Sequence, residues 1–376
     1  MSDNPLLRVR DFGQSIWLDF LGRGLIATGE LARLIEEDGV GGVTSNPAIF
    51  EKAIGQTEDY DRAIAEMARA GRSAEEVYEA LTVQDIQDAT DLLRPLYDRT
   101  EGGDGFVSLE VNPHLARDTA GTVAEARRLW AAVERPNLLI KVPATVEGLP
   151  AIEQLISEGI NVNITLLFGL PRYAEVAEAY VSGIEQRVAR GDDVRRIASV
   201  ASFFLSRIDV LVDAVLAQKR QEGGRQAEIA AQLTGQVAIA SAKVAYQMYL
   251  EIFGGTRWRI LADHGARVQR LLWASTSTKN PEYSDVKYVE PLIGPETVNT
   301  LPLETLEAYR DHGDPELRIE DDLDRARQVP ALLPEVGIDL DRVTAQLVDE
   351  GIEKFNEPYD KLMAKLEEAV RASGGG

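Results

Sequence analysis

The sequence contains no cysteine and only three histidines, His114, His264 and His312. Without cysteine there is no disulfide framework and no thiolate metal site, and so few histidines argue against a histidine-built metal centre. No apolar run approaches the roughly 20 residues of a membrane span, and residues 1–14 contain no apolar signal core. We therefore expect a soluble, cytoplasmic protein that uses neither a metal nor a membrane.

Positive charge is also scarce, because 62 Asp and Glu residues outnumber 40 Lys and Arg residues and give a formal net charge of −22. This balance argues against a nucleic-acid partner. It leaves phosphorylated metabolites as ligands, provided that Arg, Lys and backbone amides form a phosphate site locally. Hydrophobic residues make up 44% of the chain, so a folded protein with a large core is expected.

Short apolar segments alternate with helical segments along the chain. The helical segments include residues 25–37 and 226–253. The predicted strands cover residues 15–20, 40–45, 106–111, 137–145, 160–167, 197–204, 271–275 and 286–293. Eight strands alternating with helices favour an α/β fold of the (β/α)8 barrel type, with an open doubly wound sheet as the alternative. Neither GxGxxG after the first strand nor GxxxxGK[ST] is present, which weakens a nucleotide-binding interpretation.

Two segments exceed what a minimal barrel needs. Residues 48–100 follow the second strand and predict a helical insertion, and residues 321–373 predict a charged helical extension at the carboxyl end. We expect one barrel domain over residues 1–376 that includes both segments.

One predicted strand, Asn137 to Thr145 (NLLIKVPAT), carries a lysine inside its apolar run. A buried ammonium costs several kcal/mol unless it is paired or neutral. The structural interpretation is a strand-end lysine whose head reaches water. The functional interpretation is that desolvation favours a neutral amine, which is a nucleophile towards carbonyls.

Polar residues recur at the carboxyl ends of the first six predicted strands. One buried polar residue is usually a satisfied core group, but in a barrel these strand ends converge on one mouth, where active sites lie. The recurrence therefore favours an active site. Its members are Asp19, Asn46, Glu110, Lys141, Asn163, Thr165 and Ser202.

A lysine among carboxylates, amides and hydroxyls suits Schiff-base catalysis on a ketose. Amine attack and loss of water give an iminium, which acts as an electron sink for cleavage of the neighbouring C–C bond. The sugar hydroxyls need a positioned acid or base, for which Asp19 and Glu110 are the candidates. Either carboxylate could instead be a structural ion-pair partner.

Six motifs, in order along residues 17–209, resemble those of the transaldolases, and residues 273–280 (WASTSTKN) extend the resemblance. The six are WLD at 17–19, TSNP at 44–47, SLEV at 108–111, LIKVPAT at 139–145, GINVNITLLF at 159–168 and SFFLSRID at 202–209.

The resemblance implies a barrel enzyme without metal or organic cofactor that reversibly transfers a dihydroxyacetone unit between sugar phosphates. It implies that Lys141 forms the Schiff base and that Asp19 handles the sugar hydroxyl proton. Glu110 and Thr165 match the pair that holds the catalytic water. The matches to substrate-binding groups are Asn46, Asn163, Ser202 and, for phosphate, Arg207.

The chain departs from the family pattern at the second phosphate-binding arginine. In the family this arginine follows an Ala-Ser pair on strand seven, whereas here Ala274-Ser275 leads to Lys279 as the nearest candidate. Lysine binds phosphate but lacks the bidentate fork of arginine. The insertion and the long tail suggest a longer subfamily.

Two other functions compete with transfer. A fructose-6-phosphate aldolase, or another Schiff-base aldolase, resembles this family but typically has a glutamine at the Glu110 position and a tyrosine at the Phe204 position. Phe204 can also be an ordinary core aromatic. The second alternative is a non-catalytic barrel that binds sugar phosphates, and an intact set of Lys141, Asp19 and Glu110 argues against it.

Overall fold

The structure, a computed structural model, describes residues 4–374. In this range the strands are β1 (Gln14–Leu18), β2 (Gly42–Val43), β3 (Phe106–Glu110), β4 (Leu138–Pro143), β5 (Val162–Leu167), β6 (Ser199–Phe204), β7 (Arg270–Ala274) and β8 (Thr297–Leu301). They pair in parallel in chain order, and β8 pairs with β1 to close the barrel. The predicted (β/α)8 barrel is confirmed, and the open sheet is excluded.

Helices connect the strands on the outside of the barrel. They are α1 (Pro5–Arg8), α2 (Arg23–Ala27), α3 (Glu30–Glu37), α4 (Pro47–Gln56), α5 (Asp61–Arg69), α6 (Ala74–Arg99), α7 (Thr119–Val133), α8 (Gly148–Glu158), α9 (Leu170–Arg190), α10 (Ser206–Glu222), α11 (Gly224–Leu233), α12 (Val237–Gly254), α13 (Thr256–Asp263), α14 (Leu303–His312), α15 (Leu323–Leu332) and α16 (Leu340–Gly374). α4 to α6 occupy the insertion, and α15 and α16 the extension. Among the described residues, no helix is long and apolar enough to cross a membrane.

The strand β4 illustrates how the barrel positions its interior side chains. Side chains alternate along a strand, so Leu139 and Lys141 point to one side while Ile140 and Val142 point to the other. All four residues are buried. The apolar outward residues hold the helices in place, which leaves the inward positions available for polar groups.

The prediction of the eighth strand at residues 286–293 is wrong. This segment contains a 3₁₀ helix, Glu290–Leu292, and its apolar residues are buried as a connection to β8. The carbonyl oxygen of Leu292 accepts hydrogen bonds from Trp273 Nε1 at 3.1 Å and from Gln14 Nε2 at 2.8 Å. The real strand, TVNTL, is more polar. Thr300 faces the cavity, while Asn299 points to the other side of the strand and its Nδ2 donates to the Tyr288 carbonyl of this connection at 3.2 Å.

Two predicted helices are each divided by a glycine. The segment 25–37 forms α2 and α3, with Gly29 at φ +80° between them. The segment 226–253 lies across α11 and α12, which Gly235 separates at φ +70°. Positive φ is readily adopted by glycine and ends a helix, so both breaks have the same local cause.

The long helix α16 packs along the barrel and its insertion. It buries Leu347, Phe355, Leu362 and Leu366. Lys361 Nζ lies 2.6 Å from a Glu51 carboxylate oxygen on α4. Leu340, Val343 and Ile352 of the same helix are partly buried and also pack against the core.

Candidate active site

A cavity of about 400 Å³ opens where the carboxyl ends of the strands meet. Eight of the predicted site residues line it: Asp19, Asn46, Lys141, Ser202, Phe204, Arg207, Ser275 and Lys279. Three others, Glu110, Asn163 and Thr165, are buried and are not among its lining residues. The structure therefore brings the predicted polar residues to one end of the barrel, in two layers.

Lys141 lies on the wall of this cavity with only 4% of its surface exposed. Its Nζ donates a hydrogen bond to the Ser45 carbonyl at 3.0 Å and lies 3.4 Å from Glu110 Oε2. The ring centroid of Phe355 is 5.8 Å from Nζ. The amine is thus confined by a carbonyl, a carboxylate and an aromatic ring, and it faces the cavity.

Glu110 lies at the end of β3, in register with Lys141 on β4. Burial raises the pKa of Glu110 to about 7, although the nearby Lys141 ammonium favours the charged form. Its two carboxylate oxygens are buried and have no hydrogen-bond partner among the described residues. A carboxyl with a pKa near neutrality can both take and give a proton under physiological conditions.

Thr165 lies on β5, on the other side of β4 from Glu110, and pairs in register with Pro143. Its Oγ1 is also buried without a hydrogen-bond partner in residues 4–374. Buried polar atoms of this kind are usually satisfied by an ordered water. Glu110 and Thr165 thus offer oxygen atoms from both strands that flank Lys141.

Asp19 follows β1 directly and is partly exposed at the cavity. Its backbone N–H donates to the Leu301 carbonyl at 2.8 Å, which fixes it against β8. Thr44 Oγ1 donates to Asp19 Oδ1 at 2.6 Å, and Thr300 Oγ1 lies 2.7 Å from Thr44 Oγ1. Burial raises the pKa of Asp19, while Lys141 and the Thr44 hydrogen bond act against this. Three strands therefore orient this carboxylate.

Asn163 and Ser202 form a polar chain across β5 and β6. Asn163 Nδ2 donates to Ser108 Oγ at 2.9 Å, and Ser202 Oγ donates to Asn163 Oδ1 at 2.6 Å. Only Ser202 reaches the cavity wall, since Asn163 is fully buried. Asn163 therefore orients the Ser202 side chain at the wall of the cavity.

Asn46 has a local structural role at the cavity. It is the N-cap of α4, and its side-chain oxygen accepts a hydrogen bond from the Ile49 N–H at 3.0 Å. Pro47 follows as the first helical residue, where its missing N–H costs nothing. The hydrogen bond to Asn46 Oδ1 therefore holds the Asn46 side chain at the wall of the cavity.

The cationic side of the cavity is formed by Arg207 and Lys279. Arg207 lies in the first turn of α10, its guanidinium carbon 5.6 Å from the Phe204 ring centroid. Its Nη1 is buried and has no hydrogen-bond partner among the described residues. Burial lowers the pKa of Arg207, while the carboxylates of Asp19, Glu350 and Glu110 favour its charged form. A buried donor without a partner is suited to an anionic ligand.

Lys279 is more exposed than Arg207, and its Nζ donates to Ser277 Oγ at 2.5 Å. Ser275, at the end of β7, has φ +54°, and its Oγ lies 2.8 Å from Ser206 Oγ. The Ser206 N–H also donates to the Ser275 carbonyl at 3.0 Å. These contacts join the strand end that precedes Lys279 to the helix that carries Arg207.

Sequence reasoning missed several residues of the cavity. Thr300 was missed because the eighth strand was predicted in the wrong place, although Thr and Val, which TVNTL contains, favour a strand. Phe355 comes from the carboxyl-terminal helix, which follows all eight strands in the sequence. The other missed lining residues include Thr44, Lys52 and Glu304. In the described part of the chain, no three His, Asp or Glu side chains form a potential metal site.

Comparison with known proteins adds an independent line of evidence. The family model described as Transaldolase/Fructose-6-phosphate aldolase matches residues 16–366. A protein of Trichodesmium erythraeum named Transaldolase is 49% identical over 376 residues, which cover 99% of both chains. One from Thiobacillus denitrificans, also named Transaldolase, is 52% identical over 95% of this chain and 98% of its own. Transaldolase 2 of Nostoc punctiforme is 50% identical over 99% of both chains.

Proposed function

The chain belongs to the transaldolase/fructose-6-phosphate aldolase family, and we propose that it is an enzyme, a transferase of the transaldolase type. Its reaction is the reversible transfer of a dihydroxyacetone unit from sedoheptulose 7-phosphate to glyceraldehyde 3-phosphate, which gives erythrose 4-phosphate and fructose 6-phosphate in the non-oxidative pentose phosphate pathway. The observation that carries this proposal is the Lys141 amine, which is buried at the cavity wall 3.4 Å from Glu110.

The reaction begins with attack of the Lys141 Nζ lone pair on the ketose carbonyl carbon. The carbinolamine loses its hydroxyl as water and becomes an iminium. Asp19 then takes the proton of the hydroxyl on the carbon beyond the scissile bond, and the C–C bond breaks with its electron pair moving into the iminium. The aldehyde product leaves, and an enamine of dihydroxyacetone remains on Lys141 until an acceptor aldehyde reverses these steps.

Glu110 and Thr165 are proposed to hold the water that is lost and regained at the carbinolamine. The support is that both present buried oxygen atoms beside β4 that have no hydrogen-bond partner among the described residues, and that burial raises the pKa of Glu110 to about 7. A carboxyl of this acidity can protonate the departing hydroxyl and deprotonate the returning water.

The remaining site residues are proposed to bind the sugar. Asn46 and Ser202 would bind the hydroxyls of the dihydroxyacetone unit, with Asn163 holding Ser202. The phosphate at the far end of the sugar would bind to Arg207, Ser275 and Lys279. The unpartnered Nη1 of Arg207 supports this assignment.

The Arg207→Ala variant should bind phosphorylated donors more weakly by on the order of 1.5–3 kcal/mol, because a charge-assisted hydrogen bond is lost. Lys279→Ala should have a smaller effect, since an exposed ammonium contributes less. The measurement is KM and kcat/KM for fructose 6-phosphate. Arg220→Ala, an exposed arginine later on α10, is the matched control. Unchanged kinetics in Arg207→Ala would place the phosphate elsewhere.

Dependence on an acceptor separates the transferase from an aldolase. Fructose 6-phosphate alone should give little free dihydroxyacetone, while added erythrose 4-phosphate should give fast formation of sedoheptulose 7-phosphate. Phe204→Tyr should raise the release of dihydroxyacetone relative to transfer, because a phenol hydroxyl adds a proton donor near the intermediate. Rapid release by the unchanged protein, with no gain from an acceptor, would make it an aldolase. Binding without any turnover would make it a non-catalytic barrel.

We also propose that the insertion at residues 48–100 and the extension at residues 321–373 belong to one domain with the barrel, and that the protein acts in the cytoplasm. The contacts of α16 with α4 and with the cavity support the first proposal. Measurement of a single cooperative unfolding transition would test it.

A further inference from the structure

The carboxyl-terminal helix α16 comes unusually close to the end of β5. A Cβ atom at Gly351 would lie 2.7 Å from Leu166 Cδ2, so any larger residue would push the Leu166 side chain away. Leu166 has φ +53° and lies where the pairing of β5 with β6 shifts register between Ile164 and Leu167. The helix is therefore seated directly on an irregular strand end at the barrel mouth.

One helical turn after Gly351, the side chain of Phe355 enters the cavity. Its ring is 4% exposed, lines the same cavity as Asp19 and Arg207, and lies with its centroid 5.8 Å from Lys141 Nζ. Among the described residues of α16, it alone belongs to the cavity lining. The extension thus places an aromatic side chain beside the proposed nucleophile.

Further contacts hold this part of α16 in place. Tyr359 OH accepts a hydrogen bond from Asn112 Nδ2 at 3.1 Å, just after β3. Lys361 pairs with Glu51 on α4 at 2.6 Å. The Tyr359 ring also packs edge-on against Tyr78 of α6, with 5.4 Å between the ring centroids. The position of Phe355 is therefore supported from the insertion as well as from β5.

We propose that Phe355 shields the lysine-bound intermediate from water and so favours transfer to an aldehyde over release of free dihydroxyacetone. This inference rests on the proposed function. Release requires that the enamine carbon takes a proton to give the iminium, and that water adds to the iminium carbon. The C–N bond then breaks, its electron pair returns to Nζ, and the ketone leaves.

Phe355 opposes the step of release that transfer does not share, which is protonation of the enamine carbon. A phenyl ring has no hydroxyl and can supply no proton to the enamine carbon. Its apolar surface also displaces bulk water, the other source of that proton, from the region beside Nζ. The acceptor aldehyde instead forms a C–C bond at the enamine carbon, which needs no proton there, so transfer is less affected. The water proposed at Glu110 and Thr165 releases the product from Lys141 in either case.

The experiment compares Phe355→Ala, Phe355→Leu and the unchanged protein in fructose 6-phosphate plus erythrose 4-phosphate. The ratio of free dihydroxyacetone released to sedoheptulose 7-phosphate formed should rise on the order of tenfold in Phe355→Ala and less in Phe355→Leu, which keeps an apolar side chain. Leu366→Ala, another buried residue of α16 outside the cavity, should leave this ratio at the unchanged protein's value.

The outcomes distinguish this inference from the proposed function. If the unchanged protein forms no borohydride-trappable adduct and no sedoheptulose 7-phosphate, the proposed function fails. If it transfers normally but Phe355→Ala and Phe355→Leu keep its ratio, the shielding role is wrong. An equal rise of the ratio in Leu366→Ala would also overturn it, because loosening of α16 alone would then explain the effect. Thermal unfolding of each variant identifies any variant that does not fold. If Phe355→Ala does not fold, the ratio measured in Phe355→Leu decides the test.

Discussion

The Lys141→Arg variant should lose nearly all transfer activity, with kcat lower by on the order of 10⁴-fold or more, since loss of a nucleophile removes the covalent route itself. Arginine has a similar reach and charge, but its guanidinium stays protonated and has no lone pair to attack a carbonyl. The variant should still fold, because the guanidinium can donate to the Ser45 carbonyl that now accepts from Nζ. Formation of sedoheptulose 7-phosphate and thermal unfolding are the two measurements.

Borohydride reduction in the presence of fructose 6-phosphate provides the direct check. Peptide mapping of the unchanged protein should find the label on Lys141, and Lys141→Arg should take up none. Lys354→Arg, an exposed lysine on α16, is the matched control and should label as the unchanged protein does. Stoichiometric label on Lys52 or Lys279, the other amines that line the cavity in the described residues, would contradict the assignment.

The Asp19→Asn variant should form the Schiff base but should cleave the C–C bond of the bound sugar slowly. Its kcat should be lower by about 10²–10⁴-fold because the positioned base is lost. Asparagine keeps an oxygen that can accept from Thr44 Oγ1, as Asp19 Oδ1 does at 2.6 Å, so the local structure should persist. Borohydride should therefore trap different adducts. In the unchanged protein Lys141 should carry the three-carbon unit, whereas in the variant it should carry the intact six-carbon phosphate, as mass spectrometry of the labelled peptide can show.

Asp11→Asn, at an exposed residue of the 3₁₀ helix Val9–Phe12 that precedes β1, is the control for this variant and should trap the three-carbon unit. Normal turnover of Asp19→Asn with a three-carbon adduct would mean that another group takes the hydroxyl proton. Glu110, with its pKa of about 7, would then be the first candidate.

The sequence allowed the barrel and most of its site to be predicted because strand ends converge by topology alone. Asp19, Lys141 and Ser202 lie at or near the carboxyl ends of apolar segments, so their meeting at one mouth needs only the closure of the sheet. The eighth strand could not be found in this way. Three of its five residues are polar, while the more apolar segment before it is buried as a connection.

The depth of individual residues and the contribution of the tail were also not predictable. Asn163 and Ser202 have the same kind of position on adjacent strands, yet only Ser202 reaches the cavity, which depends on the stagger of the strands. Phe355 belongs to a helix whose sequence shows an apolar face but not the surface that it contacts. That surface is set by tertiary contacts such as the one between Gly351 and Leu166.

The place of Phe355 near the end of the chain has a consequence for biosynthesis. Folding during translation proceeds from the amino terminus, so the strands with Asp19 and Lys141 are made long before α16. Until α16 has been synthesised and has docked on β5, the Phe355 ring is missing from beside Lys141. The active site is therefore complete only after α16 has been made, and a nascent chain that already contains every strand still lacks Phe355.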